Sequence, residues 1–496
     1  MSGWRRFGGA LLVGALVMST ALPVAVGEEE SASVGPVPGA SEAVEEQRNA
    51  PRLEESIGRI LADGELQRTA VGIHVVDLDT GAVLYTRDAD RLMNPASNVK
   101  LVTAAVVLDE LGPNHTFATE LLTQQRRGER IEDLYVRGEG EAFLLFRDVL
   151  SWAGELRMQG VEVIDGDVVI DDGAFDGAYS PPGFDMRDAD AAYRSPIGAV
   201  SVNFNAVAVT VKPAQAVGQP PTVRVDPPNA YIEVVNRART APGALPRIGV
   251  TAQPNGERTQ ILVTGSIGVS NEGITQRKRI EHPPAFAGAV IAEALAMVGI
   301  EVEGEVRRGT TPEASQRLVL HHSQPLINAV AAMNKWSNNF IAEQLLRTLG
   351  NEDDHASTWE RALQRAQTRM TTYGFEPDSF SLFNGSGLYD GNELSARQVV
   401  RLLEVMSTHR YGPEFVSSLA IAGEDGTLRS RLRGEETRGN LRGKTGTLRD
   451  VTALSGYVTS ASGHRLAFSI LFNDPPRRAW NYRNQQDAIA RAIAAY

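Results

Sequence analysis

The sequence contains no cysteine, although it is 496 residues long. This absence excludes disulfide bonds, thiolate nucleophiles, cysteine-bound zinc and iron–sulfur clusters, so any catalytic chemistry must use oxygen or nitrogen groups. The sequence also lacks an excess of basic residues, because 49 Lys and Arg face 61 Asp and Glu and give a net charge of −12. A protein that binds the phosphates of a nucleic acid needs an excess of basic residues, so no nucleic-acid partner is expected.

Hydrophobic runs long enough to span a membrane are absent as well. Two arginines precede a short apolar run at residues 8–17, and small residues at 25–27 form a cleavage pattern. This order is typical of a signal peptide, which we predict over residues 1–27, with an uncleaved anchor as the alternative. It predicts an exported protein in the periplasm or the extracytoplasmic cell envelope, with a loose membrane or cell-wall association left open. Residues 28–50 are acidic and small, which predicts a disordered linker.

The patterns after the linker divide the chain into three stretches. Residues 51–117 and 283–496 combine amphipathic helices with alternating strands, whereas residues 118–282 contain short β-type runs separated by Gly, Pro and Asn. The flanks therefore predict one discontinuous α/β domain. The middle predicts a β-rich insertion of two subdomains with no long helix. An antiparallel strand pair is expected at residues 454–472, followed by a helix from Arg483.

Two short motifs at predicted helix starts carry residues suited to catalysis. Ser97 and Lys100 form Ser-x-x-Lys, and residues i and i+3 share a helix face, so the lysine amine can reach the serine hydroxyl. A partly desolvated lysine beside other cations favours its neutral form and can take the serine proton. Ser337 and Asn339 form Ser-x-Asn, in which the hydroxyl can relay a proton and the amide can hold a peptide backbone. Either motif alone is weak, because Ser97 could equally be a helix cap beside an exposed lysine.

The third motif, Lys444-Thr-Gly-Thr447, precedes the strand-rich end of the chain. Lys444 would supply fixed positive charge near a substrate carboxylate, and Thr445 and Thr447 would donate hydroxyl hydrogen bonds to it. Gly446 would remove a side chain where the substrate approaches closely. The backbone N–H groups of Ser97 and Thr447 would form an oxyanion hole. All three motifs in this order predict one catalytic site, whereas a single motif could arise by chance.

The three motifs resemble those of the penicillin-recognising serine enzymes. Within these enzymes the sequence is similar to the D-alanyl-D-alanine carboxypeptidase/endopeptidase family, the low-molecular-weight class C penicillin-binding proteins of peptidase family S13. The long stretch between Ser97 and Ser337 supports this assignment, because that family carries a β-rich insertion there. The resemblance implies an α/β (α+β) β-lactamase/transpeptidase-like domain. Such a domain has an antiparallel sheet flanked by helices, here with a large mostly-β insertion.

The resemblance also implies a function, that of an exported serine D,D-peptidase acting on peptidoglycan stem peptides. Ser97, activated by Lys100, would attack a D-Ala-D-Ala terminus or a D-Ala cross-link and form an acyl-enzyme that water hydrolyses. β-Lactam antibiotics would acylate the same serine, and neither a metal nor another cofactor would be needed. At Asn384 and Asp390 the sequence departs from the family's usual Asp and Arg. Two alternatives stay open: a β-lactamase on the same scaffold and a non-catalytic cell-wall-binding protein.

Overall fold

A computed structural model describes residues 52–184, 190–351 and 355–496. The predicted signal peptide and linker lie outside these residues. The helices are α1 (residues 52–61), α2 (Val99–Leu111), α3 (Phe146–Met158), α4 (Pro283–Met297), α5 (Leu326–Trp336), α6 (Asn339–Thr348), α7 (Trp359–Thr372), α8 (Ala396–Thr408), α9 (Gly412–Ser418) and α10 (Arg483–Ala494).

The strands, in chain order, are β1 (Ala70–Asp77), β2 (Val83–Arg87), β3 (Ala118–Thr123), β4 (Arg126–Arg127), β5 (Arg130–Ile131), β6 (Leu134–Gly138), β7 (Val163–Ile164), β8 (Val168–Asp171), β9 (Ala206–Lys212), β10 (Thr222–Asp226), β11 (Ile232–Asn236), β12 (Arg239–Ala241), β13 (Pro246–Asn255), β14 (Arg258–Gly268), β15 (Ile274–Arg279), β16 (Glu301–Val302), β17 (Val306–Arg308), β18 (Gln316–His322), β19 (Ala420–Ile421), β20 (Arg442–Thr447), β21 (Val451–Thr459) and β22 (Arg465–Asn473).

A six-stranded antiparallel sheet with the order β19-β20-β21-β22-β1-β2 joins the two ends of the described chain. Successive side chains of β22 point to opposite faces, and both faces are apolar. Phe468 and Ile470 pack in one cluster with α1 and α10, whereas Leu471 packs with Ala396 of α8 on the other face. The predicted antiparallel sheet flanked by helices is confirmed. The expected strand pair is β21 and β22, and the expected terminal helix is α10.

The helix α2 lies in the interior of the helical layer. All of its residues from Val99 to Leu108 are buried, and they pack in one core with α5, α6, α7 and α8. A helix that is apolar on every side is stable only when neighbours surround it. The consequence for Lys100, at the second position of α2, is a fully buried side chain.

Between residues 118 and 282 the chain forms the strands β3 to β15, which contribute to four sheets. The expectation that this segment has no long helix is wrong, because α3 spans 13 residues. Val149, Trp152 and Leu156 of α3 are buried, and their helical spacing was present in the sequence.

The sheets of this segment also include strands from beyond residue 282. The five-stranded sheet has the order β17-β8-β6-β3-β18, and β16 pairs with β7 in a four-stranded sheet. The helix α4 packs against α3 and β8 in the same hydrophobic cluster. We therefore propose that the insertion continues to about residue 323 rather than ending at 282.

In the part of the chain that the structure describes, no helix combines the length and the apolar character that a bilayer crossing needs.

Candidate active site

Ser97 lies in the short 3-10 turn that leads directly into α2. Lys100 Nζ donates to Ser97 Oγ at 3.0 Å, one helical turn away, as the spacing predicted. The same amine is 2.8 Å from Asn339 Oδ1 and 2.6 Å from the backbone oxygen of Ser386. Burial lowers the pKa of Lys100 to about 7. A lysine with this pKa can exchange a proton with a serine near neutral pH.

Ser337 separates α5 from α6. Its backbone is left-handed, with φ 56°, and Asn338 caps the N-terminus of α6, so the motif lies at a helix start as predicted. The turn places Ser337 Oγ at 2.9 Å from Lys444 Nζ and Asn339 Oδ1 beside Lys100. A left-handed conformation costs a residue with a Cβ about 1 kcal/mol or more, which the surrounding packing must offset.

Lys444 lies in β20 and is fully buried. Its Nζ donates to Ser337 Oγ and, at 2.7 Å, to the backbone oxygen of Thr445. Burial holds the pKa of Lys444 well below its ordinary value, and the charge of Lys100 lowers it further. The sequence analysis expected a fixed positive charge here. The buried surroundings penalise the ammonium form, so the fixed charge on Lys444 stays a prediction.

The two threonines of this motif have different surroundings. Thr447 lines the open cleft, and its Oγ1 accepts from a guanidinium N–H of Arg483 at 3.1 Å. The hydroxyl of Thr445 donates to Thr427 Oγ1 at 2.8 Å, and only 7% of the residue is exposed. The structure therefore places the Thr445 hydroxyl against a neighbouring turn rather than toward a substrate.

Gly446 lies against the turn that carries Ser97. A Cβ at this position would be 2.9 Å from the backbone oxygen of Pro95 and 3.0 Å from Ala96 Cβ. The close approach that requires a glycine here is to the protein's own turn, and the expected close approach of a substrate stays a prediction. On its other side, the same turn contacts Gly387, where any Cβ would overlap the backbone oxygen of Ala96.

The three motifs meet at a cleft of about 470 Å³. Its lining includes Ser97, Ser337, Asn339, Thr447 and Asp390. The two lysines are buried behind it, each hydrogen-bonded to one of the two serines. Two amines and two hydroxyls from distant parts of the chain therefore surround one site large enough for a peptide carbonyl.

Comparison with known proteins agrees with this arrangement. The model of the D-Ala-D-Ala carboxypeptidase 3 (S13) family matches residues 53–496. The chain belongs to this family. Within the family, a D-alanyl-D-alanine carboxypeptidase of Actinomadura sp. (strain R39) is 36% identical over 477 residues, which cover 92% of this S13 chain and 88% of the relative. The family resemblance is confirmed, and the chain is a serine-type D-Ala-D-Ala carboxypeptidase, a hydrolase.

Solved structures show the same fold. The crystal structure of penicillin-binding protein 4 (DacB) from Haemophilus influenzae matches the S13 chain with a TM-score of 0.75 at 23% identity, covering 89% of this chain and 98% of that one. A second structure of that protein, complexed with a novel β-lactam, matches with a TM-score of 0.70 at 22% identity and the same coverage.

The sequence analysis missed Glu343, which this S13 peptidase buries beside the catalytic motifs. Glu343 follows Asn339 by one turn of α6 and is fully buried. Its carboxylate accepts from the backbone N–H of Gly385 at 3.0 Å and from that of Ser386 at 2.8 Å. The available signal was a single acidic residue at i+4 from Asn339 in a helix whose neighbouring positions are buried.

Proposed function

We propose that this S13 peptidase releases D-Ala from the D-Ala-D-Ala termini of peptidoglycan stem peptides through an acyl-enzyme on Ser97. The observation that carries the proposal is the 3.0 Å hydrogen bond between Ser97 Oγ and a buried lysine whose pKa is lowered to about 7. At neutral pH much of Lys100 is the free amine, which can accept the serine proton as Oγ attacks. Ser97 is accessible from the cleft, so the attack needs no rearrangement of the motif.

In the acylation step Ser97 Oγ bonds to the carbonyl carbon of the penultimate D-Ala and its proton passes to Lys100 Nζ. The bond from that carbon to the nitrogen of the last D-Ala then breaks. Ser337 Oγ gives its hydroxyl proton to the leaving nitrogen and takes up the proton that Lys100 had received, while Lys444 Nζ holds Ser337 Oγ by a hydrogen bond. In deacylation a water molecule attacks the ester, its proton passes to Lys100, and Lys100 returns a proton to Ser97 Oγ. Each lysine therefore has the same protonation state at the start and at the end of each half-reaction.

We assign recognition of the terminal carboxylate to Thr447 and Arg483. Lys444 is buried behind Ser337, whereas Arg483 is exposed and donates to Thr447 Oγ1 where the motif meets the cleft. Arg483 can therefore supply the positive charge that the sequence analysis attributed to Lys444. The backbone N–H groups of Ser97 and Thr447 remain our proposed oxyanion hole, and Asn339 our proposed contact to the peptide backbone.

The proposal extends to partners and location. β-Lactams would acylate Ser97 as the substrate does, which is supported by the β-lactam complex of the similar penicillin-binding protein 4. D-Ala cross-links would be hydrolysed by the same chemistry, because they present the same D-centred carbonyl to Ser97. The basic, apolar and small-residue pattern at the N-terminus supports export to the cell envelope.

Fluorescent penicillin, combined with measured D-Ala release from a stem pentapeptide, tests the proposal. We expect the wild type to be labelled covalently and to release D-Ala, and Ser97→Ala to do neither. Ser417→Ala, which removes an exposed hydroxyl on α9, is the matched control and should match the wild type. Rapid turnover of nitrocefin would favour the β-lactamase alternative. A wild type that is neither labelled nor active at high reagent concentration would leave only the non-catalytic alternative.

A further inference from the structure

Glu343 is a buried carboxylate that the mechanism above does not use. Both of its oxygens accept hydrogen bonds from consecutive backbone N–H groups, those of Gly385 and Ser386, and the Ser386 side chain also hydrogen-bonds to it. Burial raises the pKa of Glu343, and these donors oppose the rise. These donors favour the ionised form of Glu343, because a carboxylate accepts hydrogen bonds on both oxygens and has no proton to direct at a donor.

The segment that Glu343 holds also contacts the α2 helix. The backbone oxygen of Ser386 accepts from Lys100 Nζ at 2.6 Å, and that of Gly385 accepts from Thr103 Oγ1 at 2.7 Å. Gly385 and Ser386 are thus fixed through their N–H groups by Glu343 and through their C=O groups by α2. Glu343 therefore determines where the Ser386 oxygen meets the proposed base.

Two buried titratable groups interact with Lys100. Glu343 from α6 favours the ammonium form of Lys100, whereas the charge of Lys100 lowers the pKa of Lys444 in β20. The other titratable groups lining the cleft are Tyr193, Tyr389, Asp390, Arg449 and Asp450. Since both lysines are buried, a buried anion is needed to keep the pKa of Lys100 within reach of neutral pH.

From this geometry we propose that Glu343 is a positioning residue for Lys100. Its carboxylate presents the Ser386 oxygen to the amine and supplies the negative charge that balances the two buried lysines. The inference depends on the proposed role of Lys100 as the base for Ser97. Through Glu343, the helix α6 sets the pH at which half of Lys100 is protonated. This helix begins at the second motif.

The pH dependence of acylation by fluorescent penicillin tests this inference. Acylation needs neutral Lys100, so the wild-type rate should rise with pH through a midpoint near 7 and fall about tenfold for each pH unit below it. Glu343→Gln removes the charge but keeps the size of the side chain. Without the anion the ammonium is less stable, so the midpoint should move about 1–3 pH units to lower pH, together with a lower plateau rate.

Two further variants complete the experiment. Glu343→Asp keeps the charge, so its midpoint should stay near that of the wild type although its plateau falls. This variant is sufficient should the Gln variant fail to fold, and a midpoint displaced by more than one unit in it would overturn the inference. Glu141→Gln removes a buried carboxylate paired with His321, far along the chain from the motifs, and should leave the midpoint unchanged.

The outcomes separate the two proposals. A wild type whose acylation has no rising limb near pH 7 contradicts Lys100 as the base, and with it the proposed function. The wild type could have that rising limb while the Glu343→Gln variant has the same midpoint. This result contradicts only the positioning role of Glu343, because a purely structural role of Glu343 would change the plateau rate alone.

Discussion

The geometry of Ser97 depends on the backbone on both sides of its turn. Ala96 has a positive φ of 47°, and its turn lies between Gly446 of β20 and Gly387. Because both neighbours lack a side chain, the turn that carries Ser97 can pack directly against them. Gly446 of the third motif therefore helps to fix the position of Ser97 in the first motif.

Gly446→Ala tests this contact at the scale of one residue. The added Cβ would meet a backbone oxygen and two rigid Cβ atoms at 2.9–3.1 Å, none of which can rotate away. We expect a loss of stability of about 1–3 kcal/mol, and penicillin acylation slower by roughly 10- to 100-fold because Ser97 is displaced. Stopped-flow acylation and urea unfolding would measure the two effects.

The matched control is Gly58→Ala in α1. A Cβ at Gly58 would have no neighbour within 4 Å, and alanine is the better helix former, so we expect unchanged acylation and a small gain in stability of about 0.5–1 kcal/mol. Equal acylation rates in both alanine variants and the wild type would show that the Gly446 contact does not position Ser97.

At the scale of elements, the second motif acts by interrupting a helix. α5 ends at Trp336 and α6 begins at Asn339, so the chain turns at Ser337, where the backbone is left-handed. This turn brings Ser337 to β20 and Asn339 to α2 at the same time. In an uninterrupted helix, the side chains of Ser337 and Asn339 would point in directions about 200° apart around the helix axis. They could not then both face one cleft.

Comparison of Ser337→Gly with Ser337→Ala isolates the cost of this turn. Both variants lose the hydroxyl that Lys444 contacts, so both should release D-Ala much more slowly than the wild type. Only glycine is free of strain at φ 56°, and we expect Ser337→Gly to be about 1 kcal/mol more stable than Ser337→Ala. Urea unfolding monitored by circular dichroism gives the difference. An alanine variant as stable as the glycine variant would show that the turn is not strained.

The sequence predicted the elements better than the contacts between them. Period-two and helical patterns were sufficient for β21, β22 and α10, and the motif order was sufficient to predict that Ser97, Ser337 and Lys444 meet. The helix α3 was missed although its apolar spacing was present. The contacts of Thr445 and Gly446 with neighbouring turns were not predicted, because strand pairing and burial decide what a side chain touches and neither is visible in a short motif. Glu343 was missed for the same reason.

At the scale of the whole molecule, the cleft uses both ends of the described chain. The sheet that holds Lys444 is completed by β1 from the N-terminal side, and α10, near the C-terminus, covers one face of it. The hydrophobic clusters around these elements begin at Leu53, and the family match begins at the same residue. The two ends of the protein should therefore respond differently to truncation.

A chain starting at Arg48 should fold and react with penicillin at the wild-type rate, because every contact described for the cleft is made by later residues. A chain ending at Tyr482 should lose the fold, because it lacks the buried Ile489 and Ile493 and the contact from Arg483 to Thr447. The lost burial costs several kcal/mol, as two large apolar side chains alone contribute about 3–6 kcal/mol. Thermal unfolding and labelling of both chains would check this, and equal behaviour of the two would contradict it.

The separation of Ser97 from Lys444 along the chain has a consequence for biosynthesis. A ribosome makes the nucleophile hundreds of residues before it makes Lys444, β21, β22 and α10. During that interval Ser97 has no neighbouring β20. The growing polypeptide therefore contains the hydroxyl of Ser97 but not the complete site around it. Only a chain that already includes β20 can bring the three motifs together at one cleft.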